Sequence, residues 1–173
     1  MGDVRKSKTK SKKPENKVTQ KKAAGSTQRV AHTLRERVKE LTCLYAVSDM
    51  LQKPGASIEN LSVEITEAIA AAYQYPDITA VRLMLGGRWL VTPNFKYTKW
   101  KQESPITAGT RQVGAVEVYY LEERPDIDEG PFMREERALL DNLARQFGFF
   151  VEHERADELR QRIAAIVESS HDA

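Results

Sequence analysis

The pair His153-Glu154 is the place in this sequence where residue types and spacing come nearest to covalent chemistry. A histidine on a solvent-facing helix can accept a phosphoryl group, and an acid directly after it is typical of phosphoacceptor helices. Residues 156–158, however, lack the succession of a polar residue and a proline that kinks such helices, and no ATP-binding region accompanies them. We therefore predict that His153 is an exposed helix residue without a catalytic role.

Other signs of reactive sites are missing from the sequence. It contains no glycine-rich phosphate loop, no paired-histidine metal motif and no Ser-His-Asp order with a workable spacing. The single cysteine, Cys43, lies among Leu41, Leu44 and Val47, a setting that predicts a buried and inert thiol. We expect a protein that is not an enzyme and that holds neither a metal nor a cofactor.

Aromatic residues alternate with lysines over residues 95–101. Such a cluster can bind an anion or a base through stacking and cation attraction. The commoner arrangement is that the rings cover the end of a small core while the lysines stay in solvent. If a ligand or partner surface exists, we expect it to include Arg82, Tyr97, Trp100 and Tyr119.

Charge is distributed unevenly along the chain. Residues 1–29 hold ten Lys/Arg and two acids, whereas the remaining residues hold seventeen basic and twenty-three acidic side chains. Residues 1–29 also have too few large apolar side chains to offset the entropy of ordering, so we predict a disordered basic tail. The tail is either a solubilising extension or an arm that binds nucleic acid or an anionic membrane surface weakly and in a salt-dependent way.

The rest of the composition fits one domain. The chain has 173 residues, of which 40% are hydrophobic, and this is enough for one modest core. No stretch approaches the roughly 18 apolar residues of a membrane span, and the N-terminus lacks an apolar signal segment. We therefore expect a cytoplasmic protein.

Hydrophobic periodicity predicts an α+β fold, with a small antiparallel sheet flanked by N- and C-terminal helices. Apolar residues recur at steps of three and four over residues 30–51 and again over residues 58–72, where Ser57 is a plausible N-cap. Residues 79–85 alternate as a strand does, and Gly86-Gly87 can turn the chain back into a second strand. The predicted remainder is a second strand pair at 105–107 and 113–121, an acidic loop at 122–130, and a helix from Pro131 to about residue 167.

The two terminal helices carry apolar residues in narrow stripes amid dense charge. This pattern is typical of helices that pair with each other, and beyond Val151 it favours a two-stranded coiled coil. We therefore predict a homodimer. The expected dimer and relay residues are Leu34, Val38, Leu41, Phe147, Phe150, Leu159, Ile163 and Ile166.

Five segments of the chain together carry a family resemblance, namely 37–49, Tyr75-Pro76, 100–102, 113–125 and 129–132. They closely resemble a compact GAF-like module of prokaryotic sensor histidine kinases. The resemblance covers about residues 34–155, and its most specific portion is 113–132. It implies an antiparallel sheet flanked by helices, with the first and last helices packed side by side.

Residues 159–173 resemble the lead-in helix and first residues of a PAS domain. The combined resemblance implies a basic tail at 1–29, a GAF-like domain at 30–152 and a coiled-coil connector at 153–173. It further implies a non-catalytic sensory module that relays a packing change to a downstream PAS or kinase domain. The alternatives are a stand-alone interaction protein that uses its lysine-rich tail, or a partner protein that docks on a kinase through the last helix.

Overall fold

The computed structural model describes residues 15–53 and 60–171. Backbone contacts divide the chain into two units, residues 1–35 and 36–173, of which the second contains the sheet. Among the described residues, no helix combines the length and the apolar character needed to cross a membrane. The elements in chain order are α1 (Glu15–Gln52), α2 (Ser62–Ala72), a short 3-10 turn (Pro76–Ile78), β1 (Thr79–Leu85), β2 (Arg88–Val91), β3 (Lys101–Ala108), β4 (Arg111–Tyr120) and α3 (Arg134–His171).

The four strands form one antiparallel sheet in the order β2-β1-β4-β3. Gly86 and Gly87 have φ angles of 59° and 78°, which glycine adopts without strain, and they close the β1–β2 hairpin. In the central pair, Arg82 lies opposite Glu117 and Val81 opposite Val118. The predicted α+β class, antiparallel sheet and flanking terminal helices are confirmed.

The helices cover one face of this sheet. Helix α2 packs against β1 and β2, and α3 packs against β3 and β4. Because side chains alternate along a strand, odd-numbered residues of β1 and even-numbered residues of β4 point to the helices, and their neighbours point to the other side, here called the outer face. The largest fully buried side chains of the core include Ile65, Ile69, Leu83, Tyr120, Leu139, Leu143 and Phe147.

Several element boundaries differ from the sequence prediction. Helix α1 begins at Glu15, fifteen residues before the predicted start, because lysine, glutamine and alanine over this stretch are good helix formers and extending a helix is easier than starting one. Of the predicted disordered tail, residues 15–29 therefore belong to α1. Residues 1–14 and the predicted N-cap Ser57 lie outside the described residues. The helix predicted over 58–72 begins only at Ser62, with Leu61 at its N-cap position.

Strand β3 is longer, and α3 starts later, than predicted. Strand β3 begins at Lys101, four residues before Pro105, and Pro105 is accommodated on an edge strand. Pro131 lies inside a turn closed by a bridge between Glu129 and Phe132, so α3 starts only at Arg134.

Candidate functional site

An ion pair surrounded by aromatic rings occupies the centre of the outer face. Arg82 binds Glu117 across β1 and β4 through two bonds, from Nε to Oε2 at 2.5 Å and from Nη2 to Oε1 at 3.0 Å. The Tyr119 hydroxyl donates to Glu117 Oε2 at 2.9 Å, and Arg82 also donates to the Tyr97 hydroxyl. Arg82, Trp89, Tyr97, Glu117 and Tyr119 together are called the Arg82 cluster.

The aromatic rings of the Arg82 cluster contact its guanidinium directly. The guanidinium carbon lies 3.9 Å from the Trp89 ring centroid and 5.0 Å from that of Tyr97, both within the range of cation–π attraction. Trp89 is nevertheless 48% exposed and Tyr97 69% exposed. The cluster therefore presents two rings to solvent and keeps its ion pair beneath them.

Contacts within the Arg82 cluster shift the pKa values of Glu117 and Tyr119 in opposite directions. Burial alone would raise the pKa of Glu117, but hydrogen bonds from Arg82 and Tyr119 outweigh it and place that pKa below its ordinary value. Burial, followed by the neighbouring Glu117 carboxylate, raises the pKa of Tyr119. Arg82 already binds Glu117 through Nε and Nη2 and Tyr97 through Nη1, and Glu117 neutralises its charge. The Arg82 cluster therefore presents aromatic rings to a partner and does not offer a free guanidinium to an anion.

Trp100 lies apart from the Arg82 cluster. Its side chain packs, partly buried, against the hydrophobic core, and the Lys99 ammonium lies 4.9 Å from its ring centroid. The structure thus brings together Arg82, Tyr97 and Tyr119 of the predicted surface and leaves Trp100 out. The prediction missed Trp89 and Glu117, although strand alternation puts both on the outer face once the register is known.

A second glutamate is buried at the base of α3. The Glu136 carboxylate accepts three hydrogen bonds: Oε1 from the backbone N–H of Gln74 at 2.7 Å and from the Tyr120 hydroxyl at 2.7 Å, and Oε2 from the backbone N–H of Met133 at 2.8 Å. The bond to Met133 is half of a capping box, because Glu136 is the third helical residue after Met133. Gln74, Tyr120, Met133 and Glu136 are called the Glu136 junction, and they connect the end of α2, strand β4 and the start of α3.

All three groups that contact the Glu136 carboxylate are neutral donors. Burial raises the pKa of Glu136 above its ordinary value, although the amides of Gln74 and Met133 and the Tyr120 hydroxyl act in the opposite direction. Aromatic rings shield the junction, since Tyr120 stacks on Phe132 with centroids 4.4 Å apart and Tyr73 meets Tyr120 edge-on at 6.2 Å. No sequence motif singled out Glu136, and the helix start predicted at Pro131 hid its capping position, which is the third residue of α3 only because the helix begins at Arg134.

Polar side chains around Arg137 attach the same end of α3 to β3. Arg137 Nε donates to Glu129 Oε2 at 2.7 Å, and Arg137 Nη1 donates to the backbone carbonyl of Glu103 at 2.7 Å. Glu129 also accepts a bond from Gln102 Nε2 at 3.0 Å. The first turn of α3 is thereby held from two sides.

A further attachment lies in the middle of α3. A Cβ added to Gly148 would lie 2.1 Å from the Thr107 carbonyl oxygen, so only glycine permits this close approach of helix and strand. One turn later, Glu152 accepts a bond from the backbone N–H of Gly109 in the β3–β4 turn. Helix α3 is therefore fixed to the sheet between its first turn and Glu152.

The two residues with intrinsic reactivity are placed as predicted. Cys43 is buried, and burial raises the pKa of its thiol to about 12, so it is not a thiolate at neutral pH. The His153 side chain is exposed on α3 and lies 3.5 Å from Asp157. Within the described part of the chain, no group of three or more His, Cys, Asp and Glu could hold a metal ion.

The predicted dimer and relay residues fall into two groups. Phe147 is fully buried in the core. The half-buried Phe150 and the exposed Phe149 both line a groove of about 830 Å³ between α1 and α3. The remaining predicted residues are exposed by half or more, namely Leu34, Val38 and Leu41 on α1 and Leu159, Ile163 and Ile166 on α3.

Comparisons of the chain with protein-family models, with curated proteins and with solved structures returned no match.

Proposed function

We propose that this chain is a non-catalytic, cytoplasmic regulatory module of the GAF-like type that forms a parallel homodimer through its terminal helices. A packing change at the sheet passes along α3 to a downstream PAS or kinase domain. The observation that carries the proposal is the row of exposed apolar side chains on α3 beyond its last attachment to the sheet. Leu159, Ile163 and Ile166 are 59%, 52% and 66% exposed.

The spacing of this row suits a two-stranded coiled coil. Steps of four and three residues from Leu159 to Ile163 to Ile166 are those of a heptad seam, with a β-branched residue at the a position and leucine at one d position. Seven residues before Ile163, Ala156 continues the seam at an a position, and Phe149 occupies the a position before that. The d position before Leu159 is Glu152, where the helix is still attached to the sheet. Exposed apolar residues in such a row are costly in water unless a partner covers them.

Helix α1 offers a matching stripe. Val38, Leu41 and Tyr45 are exposed, whereas Cys43 and Val47 on the same helix are buried in the core. One side of α1 is thus used within the chain and the other is available to a second chain. We assign the stripes of α1 and α3 together to the dimer interface.

The attachments of α3 support a relay. Its first half is tied to the sheet at the Glu136 junction, at Gly148 and at Glu152, and all of these ties lie before the exposed row that begins at Leu159. A shift of β3 or β4 must therefore move the first half and re-aim the second. Moving such a two-state element from mostly one form to mostly the other needs about 5.5 kcal/mol of differential binding.

Sedimentation equilibrium of the purified chain tests this proposal. The wild type is expected to be dimeric, and Ile163→Glu is expected to weaken the dimer by 100-fold or more, on the order of 3 kcal/mol, because it places a charge in the seam. Ala164→Glu introduces the same charge one residue away, outside the seam, and is expected to leave the dimer intact. A wild type that stays monomeric at high micromolar concentration would contradict the proposal.

A further inference from the structure

The Glu136 junction joins three elements through one carboxylate. Its donors come from Gln74, the second residue after α2, from the last residue of β4 and from the residue before α3. Glu136 is only 3% exposed, so water does not replace a donor that withdraws. Each of the three elements therefore depends on the position of the other two.

The chemistry of the junction disfavours intermediate positions. Two of the three donors are backbone N–H groups, which can only donate, and each meets a carboxylate oxygen in a buried site. A small displacement that breaks the bond to Gln74 or to Met133 leaves a backbone N–H without its acceptor, and this is more unfavourable than the bond itself is favourable. We therefore expect the three hydrogen bonds of the junction to form together and to break together, which is the behaviour of a two-state element.

We infer that the Glu136 junction is the switch point at which movement of β4 is converted into movement of α3. Tyr120 supplies the connection to the sheet, because its side chain points to the helices and its hydroxyl reaches the carboxylate. Its ring is stacked on Phe132, so β4 and the loop before α3 shift together. The inference rests on the proposed function only where it says that movement of α3 reaches a downstream domain. The coupling between β4 and α3 within one chain does not depend on dimer formation.

Tyr119 provides a matched control on the same strand. It also donates its hydroxyl to a glutamate, Glu117, but this pair lies on the outer face and stays within the sheet. Tyr119→Phe and Tyr120→Phe thus remove the same atom from neighbouring residues. Only Tyr120→Phe cuts a bond between the sheet and α3.

Amide hydrogen exchange of the full chain, followed by mass spectrometry, tests the inference. Tyr120→Phe is expected to speed exchange about tenfold in peptides covering residues 134–147 and 73–75, since opening of the junction exposes the first turns of α3. Tyr119→Phe is expected to leave these peptides unchanged. Ile106→Val is a second control, because it destabilises the core from β3 without removing a bond of the Glu136 junction. Its exchange is expected to rise uniformly over the peptides of the sheet and helices.

The outcomes separate a switch point from an ordinary buried contact. An excess of exchange in 134–147 for Tyr120→Phe over both controls supports the inference. Equal exchange in the two tyrosine variants, or a uniform increase like that of Ile106→Val, would overturn it. A double-mutant cycle of Tyr120→Phe with Glu136→Gln should show non-additive effects on the same peptides, and strict additivity would count against the coupling. A monomeric wild type would refute the proposed dimer without altering any of these results.

Discussion

Two tyrosine–glutamate pairs lie next to each other on β4 and face opposite sides of the sheet. Tyr119 donates to Glu117 on the outer face, and Tyr120 donates to Glu136 on the helix face. Glu117 has an arginine partner and a lowered pKa, whereas Glu136 has three neutral donors and a raised pKa. Neighbouring residues of one strand therefore make two different kinds of contact. The Tyr119 bond stays within the sheet, whereas the Tyr120 bond connects the sheet to α3.

The largest expected effect lies on the helix face. Glu136→Ala leaves the amides of Gln74 and Met133 and the Tyr120 hydroxyl without their acceptor in a buried site, and should lower the free energy of unfolding by about 3 kcal/mol. Urea denaturation measures this change. Glu135→Ala, the neighbouring acid in the same helical turn, should cost under about 1 kcal/mol, because its role is limited to the helix dipole. If Glu135→Ala and Glu136→Ala lowered the free energy of unfolding equally, the buried hydrogen bonds of Glu136 would have no special role in stability.

A smaller effect is expected on the outer face. Glu117→Gln keeps the shape of the side chain but removes the charge that holds Arg82, and should cost about 1 to 2 kcal/mol by urea denaturation. The loss is limited because the Arg82 guanidinium keeps its contacts with Trp89 and Tyr97. Hydrogen exchange in α3 should not change locally, since none of these partners reaches the helices. A local increase in α3 would show that the outer face is also coupled to the relay.

The two glutamates should differ in the sign of their pH dependence. A raised pKa in the fold means that Glu136 contributes stability at low pH that is lost as pH rises through its folded pKa. A lowered pKa means that Glu117 contributes stability above its unfolded pKa that is lost as pH falls through its folded pKa. In unfolding measured across pH, Glu136→Gln should remove a decline toward high pH and Glu117→Gln a decline toward low pH. Changes of the same sign in both variants would disprove this assignment.

The smallest effect on the fold is expected from removing residues 1–28. Unfolding of the sheet-containing unit should change by less than about 0.5 kcal/mol, because both glutamate sites lie within residues 36–173. Any salt-sensitive binding to a nucleic acid or acidic vesicle should disappear, since ten of the basic residues lie in or next to this segment. A full-length variant with glutamine in place of the lysines of this segment should behave in the same way. If the truncated protein still bound polyanions, the binding site would lie outside residues 1–28.

The sequence predicts the features of this fold that depend on local patterns. Alternation in residues 79–85 predicts β1, and Gly86-Gly87 predicts its hairpin, because both rest on neighbours in the chain. The Arg82–Glu117 pair needs the register between two strands thirty-five positions apart, and the periodicity of one strand does not supply it. Glu136 is harder still to predict, because two of its partners are backbone amides that any residue would offer.

The partner of the Phe147 face of α3 is another feature that the sequence does not supply. The apolar period puts Phe147 and Phe150 on one face and Phe149 on another, but it does not decide whether that face meets the core or a second chain. The close approach of Gly148 to the Thr107 carbonyl fixes the rotation, burying Phe147 and exposing Phe149. A contact between a glycine and a distant backbone oxygen leaves no signal in the sequence.

Disulfide formation at the α3 seam is the sharpest measurement of a parallel dimer through the terminal helices. Ile163→Cys introduces a thiol at the predicted seam, and the native Cys43 is buried and does not compete. Under mild oxidation we expect Ile163→Cys to form a covalent dimer, because equivalent a positions of parallel chains face each other within reach of a disulfide. Ala164→Cys should form little covalent dimer. Absence of cross-linking in Ile163→Cys, or equal cross-linking in both variants, would contradict the parallel dimer.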